Sequence, residues 1–331
     1  MKSGIISRNG NKGDSTPFGL AQFRSVLQSL FEFMRFSPPT PTHIQNWIKK
    51  QWRKQWQLWR PDDSEQFPPD DKIEIFWSAL RIKAAEEIWG IGRLGPEPKN
   101  FIQEWVQPLD LNSGKKLLEL GCQLGTISRD CTRFWGSRAT AMETDPYLAL
   151  EARERAITID PNDHVMVIQL DPNLPLIPPD AYDAAICRDQ IASAKRKAHL
   201  LDMLWGALRE NGQCLFIETV LRTENPPDQR AQELLEAWSK LEPTHPKPIS
   251  LNHITNDLIE AGFKLRLVED VTEHYTNEIA EIFAALPRRL KQTNIPLDLH
   301  PLVMREVERI GAKAKALESA GLAIYRFYTE I

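Results

Sequence analysis

The chain has 331 residues, 42% of them apolar and 26% charged, a balance that supports a sizeable core and excludes global disorder. Its net charge of −4 excludes a polyanion-binding role for the chain as a whole. No apolar run reaches membrane-spanning length. The four cysteines (Cys122, Cys131, Cys187 and Cys214) show no Cys-x-x-Cys spacing, so neither a metal site nor a disulfide framework is expected, and the expected compartment is a reducing cytoplasm.

Residues 1–17 lack the apolar block of a secretory signal and are expected to form a disordered tail. Residues 18–36 place Phe18, Phe23, Val26, Leu27, Leu30 and Phe31 near helical spacing, and "SPPTPT" ends that helix. A second helix is expected from Thr42, with Gln45 completing a capping box. It runs through "HIQNWIKKQWRKQWQLW", and a third follows over 71–89. From residue 117 the pattern changes. "KKLLELG", "RATAMET", "HVMVIQLD", "YDAAICRD" and "CLFIETV" read as strands. "YLALEARERAI" and "KAHLLDMLWGAL" read as helices, the second closed by Gly212 at a C′-type position. Such alternation implies a parallel sheet covered on both faces. A polar, Pro-rich helical stretch then runs to about 249, and Ser250 starts a helix ending at Gly262. "FKLRLVEDV" and "LAIYRFYTE" are late strands, separated by helices over 275–292 and 300–319, that would complete the sheet.

"LLELGCQLGTIS" (117–128) is a strand running into a glycine turn and a helix, which exposes backbone N–H groups beside a positive helix terminus. The dinucleotide fingerprint needs Gly-x-Gly-x-x-Gly; here Gly121 and Gly125 flank Gln123, and no Lys-Ser/Thr pair makes a P-loop. The bland alternative is a tightly packed strand–helix turn. Acids close three strands: Glu119, Glu143 (eighteen residues past Gly125) and Asp171. A carboxylate at 119 could meet a cationic amino group, one at 143 both ribose hydroxyls, one at 171 an exocyclic amine. An acidic rather than basic crevice argues for a cationic, phosphate-free nucleoside.

These residues resemble class I S-adenosylmethionine-dependent methyltransferases. "LLELGCQLG" is similar to their first motif, "LDPNLPLIPPDAYDAAICRD" to the adenine-binding Asp and fourth strand, and "ALRENGQCLFIE" to the segment around the fifth strand. The resemblance implies a Rossmann-like, doubly wound, mostly parallel seven-stranded sheet over 86–331, with a helical N-terminal extension over 18–85. Residues 100–220 would be the cofactor half and 221–331 the substrate-side, sheet-completing half. It implies S-adenosyl-L-methionine contacts from Glu119, Gly121, Cys122, Gln123, Gly125, Glu143, Thr144, Asp171, Pro172 and Arg188. The chain departs from the family at Gln123, where a glycine stands. A side chain fits there if φ stays negative, and would narrow the space beside the methionine moiety.

Finer likeness runs to small-molecule N-methyltransferases of the phosphoethanolamine and sarcosine/dimethylglycine type, through "EEIWGIGRLGPEP", "ICRDQIASAKRKAHLL" and "LIEAGFKLRLVEDVTEHY". It places Arg188 toward the cofactor and Asp189 toward the substrate. The acceptor is then a small molecule, taken at nitrogen before oxygen or carbon. A protonated amine needs a general base, for which Asp189 and Glu218 are the candidates, ahead of His274 or Tyr275. Ser193 replaces a histidine of that type, so phosphoethanolamine itself is not expected as the acceptor. The alternatives are a non-catalytic methyltransferase-like protein and a lipid methyltransferase.

Ile48, Trp52, Trp56 and Trp59 form one helical stripe amid Lys49, Lys50, Arg53, Lys54 and Arg60. The bland reading packs the stripe on the catalytic domain. The sharper one lays it on an anionic membrane surface. A partner-protein groove is a third, and nucleic acid is not expected.

Overall fold

In a computed structural model of the protein, the described residues are 6–7, 76–98, 100–159, 164–171, 177–292, 295–296 and 299–331. The helices expected over 18–36 and from Thr42, the tryptophan stripe, and all of the expected tail except Ile6–Ser7 lie outside them.

The strands are β1 (Ile6–Ser7), β2 (Lys116–Leu120), β3 (Arg138–Glu143), β4 (Val165–Gln169), β5 (Tyr182–Arg188), β6 (Leu208–Leu221), β7 (Lys264–Asp270) and β8 (Leu322–Glu330). The helices are α1 (Ala79–Trp89), α2 (Thr126–Trp135), α3 (Pro146–Ile159), α4 (Lys197–Ala207), α5 (Gln229–Leu241), α6 (Leu251–Glu260), α7 (Thr272–Gln292) and α8 (His300–Ser319). Seven strands run in the order β4-β3-β2-β5-β6-β8-β7, and Ile6–Ser7 pairs beyond β7. All neighbours are parallel except β8, which is antiparallel to both β6 and β7. The fold is thus α/β, Rossmann-like and mostly parallel, as the alternating pattern predicts.

The alternation along each strand sorts residues onto two faces. Leu117, Ala184, Ile186, Leu215, Ile217 and Ile324 pack with Trp105, Trp238 and Leu317 on one face. Leu118, Leu120, Ala185, Cys187, Phe216 and Phe327 pack with Leu201, Leu204, Ile254 and Leu258 of α4 and α6 on the other. A third cluster joins α1, α7 and α8 through Ile88, Phe283 and Ile310, and it takes in Leu94 and Leu124 from the loops described below. The strand order reverses direction between β2 and β5, where Leu120 pairs Cys187. Loops leaving that switch point must splay to opposite faces and so open a crevice.

Three element expectations need correction. Helix α1 begins at Ala79: residues 76–78 are non-helical and Ser78 caps the first turn by accepting from the Arg81 N–H (3.3 Å), while residues 71–75 of the expected helix lie outside the described residues. Gly212 does not close a helix. Helix α4 passes directly into β6 at Leu208, and residues 209–212 bulge out of the β5–β6 ladder, since Tyr182 pairs Leu208 while Ala184 pairs Gln213. The left-handed residue there is Asn211 (φ 62°). Gly212 is required because a Cβ would stand 2.7 Å from the Arg209 carbonyl oxygen. The stretch after 221 is helical only over α5, started by Asp228, whose Oδ1 accepts from the Ala231 N–H (2.7 Å).

Candidate active site

Strand β2 delivers the chain into the turn 121–125. Gly121 has φ 74°, and a Cβ there would meet the Gln190 amide and stand 2.9 Å from the Arg188 carbonyl oxygen, so only glycine lets the β2 and β5 ends approach. Gly125 (φ 69°) precedes α2, and its N–H closes the turn on the Cys122 carbonyl (2.8 Å). Cys122 is buried, with its thiol pushed well up by burial, so it packs rather than reacts. Gln123 contradicts the expectation of a negative φ: it sits at φ 52°, left-handed. The turn takes a left-handed conformation that favours glycine and forces a Cβ residue into it. The side chain escapes into solvent, and the backbone N–H is held by Glu143 Oε2 (2.7 Å).

Period-2 alternation puts Glu119 on the same face as Leu117, looking into α2 rather than out of the strand tip. It is fully buried. Its Oε2 accepts from the Ser128 N–H (3.0 Å) and hydroxyl (2.6 Å), and its Oε1 from Arg188 (3.2 Å). Burial pushes this carboxyl up against the pull of Arg188. Arg188 shares the face by the same parity. Its second arm pairs with Glu97 Oε1 (3.2 Å), and its Nε is buried without a partner. Burial opposes the charge on Arg188, but Glu119 and Glu97 outweigh it and raise the guanidinium.

Glu143, at the tip of β3, is also buried. Its Oε1 accepts from the N–H groups of Thr144 (2.8 Å) and Asp145 (3.0 Å), its Oε2 from that of Gln123. Burial raises its pKa and these N–H groups lower it. A carboxylate oxygen accepts about two bonds, so Oε2 retains a free lone-pair direction. Asp145 caps α3 through the Tyr147 (2.9 Å) and Leu148 (3.0 Å) N–H groups. Asp171 is exposed, two residues past the end of β4, and Pro172 lies outside the described residues.

Asp189 follows β5 in a left-handed conformation (φ 49°). It does not cap α4, which starts at Lys197. Its Oδ1 accepts from the Thr219 N–H (2.9 Å), and its half-exposed Oδ2 faces Lys313 Nζ of α8 at 3.7 Å. The capping of the 190–191 turn belongs instead to Glu218. Its parity places it on the Phe216 face, opposite Arg188, where Oε1 accepts from the N–H groups of Gln190 (3.0 Å) and Ile191 (3.1 Å). Its Oε2 is buried without a partner. Burial, with the charge of Asp189, pushes Glu218 up to about 8. Tyr275 lies close enough to Asp189 and Arg188 to feel both charges, and burial drives its hydroxyl far up. His274 is exposed, edge-on to Trp105 at 5.9 Å. Ser193 Oγ bonds the Thr244 hydroxyl (3.0 Å).

Two residues at this crevice escaped the sequence reading. Glu97 arrives on the segment 90–98, where Gly92 (φ 81°) docks its carbonyl on the Thr126 hydroxyl (2.7 Å) at the start of α2. The motif "GIGRLGPEP" was the available signal. Lys313 belongs to a helix that carries no local mark. Among the described residues no group of His, Cys, Asp and Glu is placed to hold a metal ion, and no helix is long and apolar enough to cross a membrane.

Comparison with known proteins agrees with this architecture. The methyltransferase-domain profile matches residues 97–268. The chain is similar to the mitochondrial ubiquinone biosynthesis O-methyltransferase of Schizosaccharomyces pombe, 26% identical over 126 residues, a match spanning 38% of this chain and 44% of that relative. In structure it is similar to phosphoethanolamine N-methyltransferase 2 of Haemonchus contortus bound to S-adenosyl-L-methionine (TM-score 0.64, 17% identity, 75% of this chain and 56% of that one). It is also similar to a cyclopropane synthase of Mycobacterium tuberculosis (TM-score 0.63, 14% identity, 78% of this chain and 95% of that one). At such identities the structural likeness speaks to the fold alone. A glycine turn at the switch point, acids at the adjoining strand tips and a profile match over half its length place the chain in the methyltransferase-domain family, whose cofactor is S-adenosylmethionine.

Proposed function

We propose that the chain moves a methyl group from S-adenosylmethionine to a small-molecule acceptor, at nitrogen. The observation that carries this reading is Glu143: a buried carboxylate at the tip of β3, tied to the glycine turn through the Gln123 N–H, with a lone pair of Oε2 free for a ribose hydroxyl. The residues fit that cofactor. Gly121 and Gly125 let backbone approach it, Glu143 and Thr144 take the ribose side, and Asp171 the adenine side. Arg188, with an unpartnered Nε, takes the methionyl carboxylate. Glu119 is fully buried and turned into α2, bound to Ser128 and Arg188, so Glu97, which reaches Arg188 from the segment 90–98, replaces it as the acid for the methionyl ammonium.

The bound cofactor supplies an electrophilic methyl on a sulfonium; alignment and exclusion of water do most of the rest. Asp189 Oδ2 is the base that accepts a proton from an acceptor ammonium, while its Oδ1 stays fixed by the Thr219 N–H. Burial and the neighbouring Asp189 push the Glu218 carboxyl up to about 8, and its Oε1 is committed to the Gln190 and Ile191 N–H groups, so it braces the loop beneath Asp189 rather than competing as the base.

Turnover of labelled S-adenosylmethionine on parallel panels of amines and phenols tests this. Methylated amines are expected, with Asp189→Asn lowering kcat. Transfer only to phenols would support the second reading, oxygen, which the fission-yeast relative favours. Cofactor binding without any turnover would support the non-catalytic reading, and turnover confined to lipid acceptors the lipid methyltransferase. Peripheral membrane contact through Ile48, Trp52, Trp56 and Trp59 is tested by sedimentation with anionic liposomes. Loss of pelleting on removing residues 1–70 supports it, and equal pelleting refutes it.

A further inference from the structure

A buried ionic cluster outside the crevice has its centre at Arg309 of α8. Its Nε donates to Glu306 Oε2 (2.9 Å), one terminal nitrogen to Glu242 Oε2 (2.9 Å), and the other to the Leu94 carbonyl (2.8 Å). Glu306 is fully buried and is taken on its other oxygen by Arg81 of α1 (2.7 Å). Glu242 also accepts from the Trp238 indole N–H (2.9 Å). Desolvating so many charges costs more than a well-packed apolar patch would, so the cluster is weak evidence for stability and better evidence for geometry.

Its geometry points at the crevice. Leu94 belongs to the segment that carries Glu97 onto Arg188. That segment is held beside the glycine turn at one end by Gly92 on Thr126, and in its middle by Arg309. Only a guanidinium can serve two carboxylates and a carbonyl at once from a rigid fork; an ammonium has neither the reach nor the planarity. We propose that Arg309 is a positioning residue for the methionyl end of the cofactor, acting through Leu94 and Glu97 on Arg188. The inference rests on the cofactor assignment above.

Two ligands separate positioning from mere stability. S-adenosylhomocysteine has the amino-acid end; 5′-methylthioadenosine keeps the nucleoside and lacks it. By calorimetry on the full chain, Arg309→Lys is expected to weaken S-adenosylhomocysteine about tenfold, the scale of one charged hydrogen bond, and to leave methylthioadenosine unchanged. In a Glu97→Gln background the same substitution should add nothing. Equal weakening of both ligands, or an unchanged preference between them, overturns the proposal. Wild-type protein that binds neither ligand instead overturns the cofactor assignment. Should Arg309→Lys fail to fold, Glu242→Gln loosens the same guanidinium while leaving Arg81 and Glu306 paired, and the same comparison applies with a smaller shift.

Discussion

Glu143 and Glu218 are two buried glutamates that tie a loop to the sheet through backbone N–H groups, yet their surroundings are opposite. Glu143 receives donors on both oxygens, with a single one on Oε2. Glu218 receives all of its donors on one oxygen, has the other buried without a partner, and stands beside Asp189. The first environment supports a carboxylate ready for a ligand; the second favours a proton. Burial alone therefore does not assign a role to an acid at a strand tip. The placement of donors around each oxygen does.

The largest effect expected comes from stripping a buried acid of its partner. Arg188→Met leaves Glu119 uncompensated and should cost about 3–5 kcal/mol in urea unfolding. Adding Glu119→Gln should restore part of that loss; no restoration would mean the pair is not coupled. Next comes Glu218. Its folded-state pKa of about 8 lies above the 4.5 of an ordinary Glu, so the folded protein holds an extra proton between them. The contribution of this group to stability is full below about pH 4.5 and declines by up to about 1.4 kcal/mol per unit as pH rises toward 8. Glu218→Gln should flatten that part of the pH–stability curve, and an unchanged slope would remove the proton from Glu218. Gly121→Ala should then cost about 1–3 kcal/mol, from the contact with Gln190 and the left-handed φ together. The smallest effect is at Gln123. Gln123→Gly relieves a left-handed Cβ residue and should raise the thermal midpoint by the equivalent of about 1 kcal/mol or less. A fall would mean that the glutamine side chain makes a stabilising contact.

How much of this was legible follows from what each feature depends on. The strands were readable because burial on both faces demands continuous apolar runs, and the glycine turn because left-handed backbone demands glycine. Glu143 could be placed by its distance from that turn, and Arg188 by the resemblance carried by "ICRDQIASAKRKAHLL". The handedness at Gln123 was misjudged because the turn's closure, through the Gly125 N–H on Cys122, outweighs the preference of the residue inside it. Helix α1 was drawn too long since apolar spacing runs on past the Ser78 cap. Glu97, Arg309 and Lys313 act across long sequence separations, and no local pattern marks a contact between α8 and the segment 90–98. The exchange of duties between Asp189 and Glu218 depends on β6 register, set in part by the bulge at 209–212.

The central claim, that the acids at the switch point hold a sulfonium nucleoside, is tested most directly by calorimetry. S-adenosylhomocysteine and a nicotinamide dinucleotide are titrated into the wild-type chain and into Glu143→Ala. One-to-one binding of S-adenosylhomocysteine, abolished by Glu143→Ala and absent for the dinucleotide, is the predicted result. Heat from the dinucleotide, or S-adenosylhomocysteine binding that survives Glu143→Ala undiminished, would contradict it.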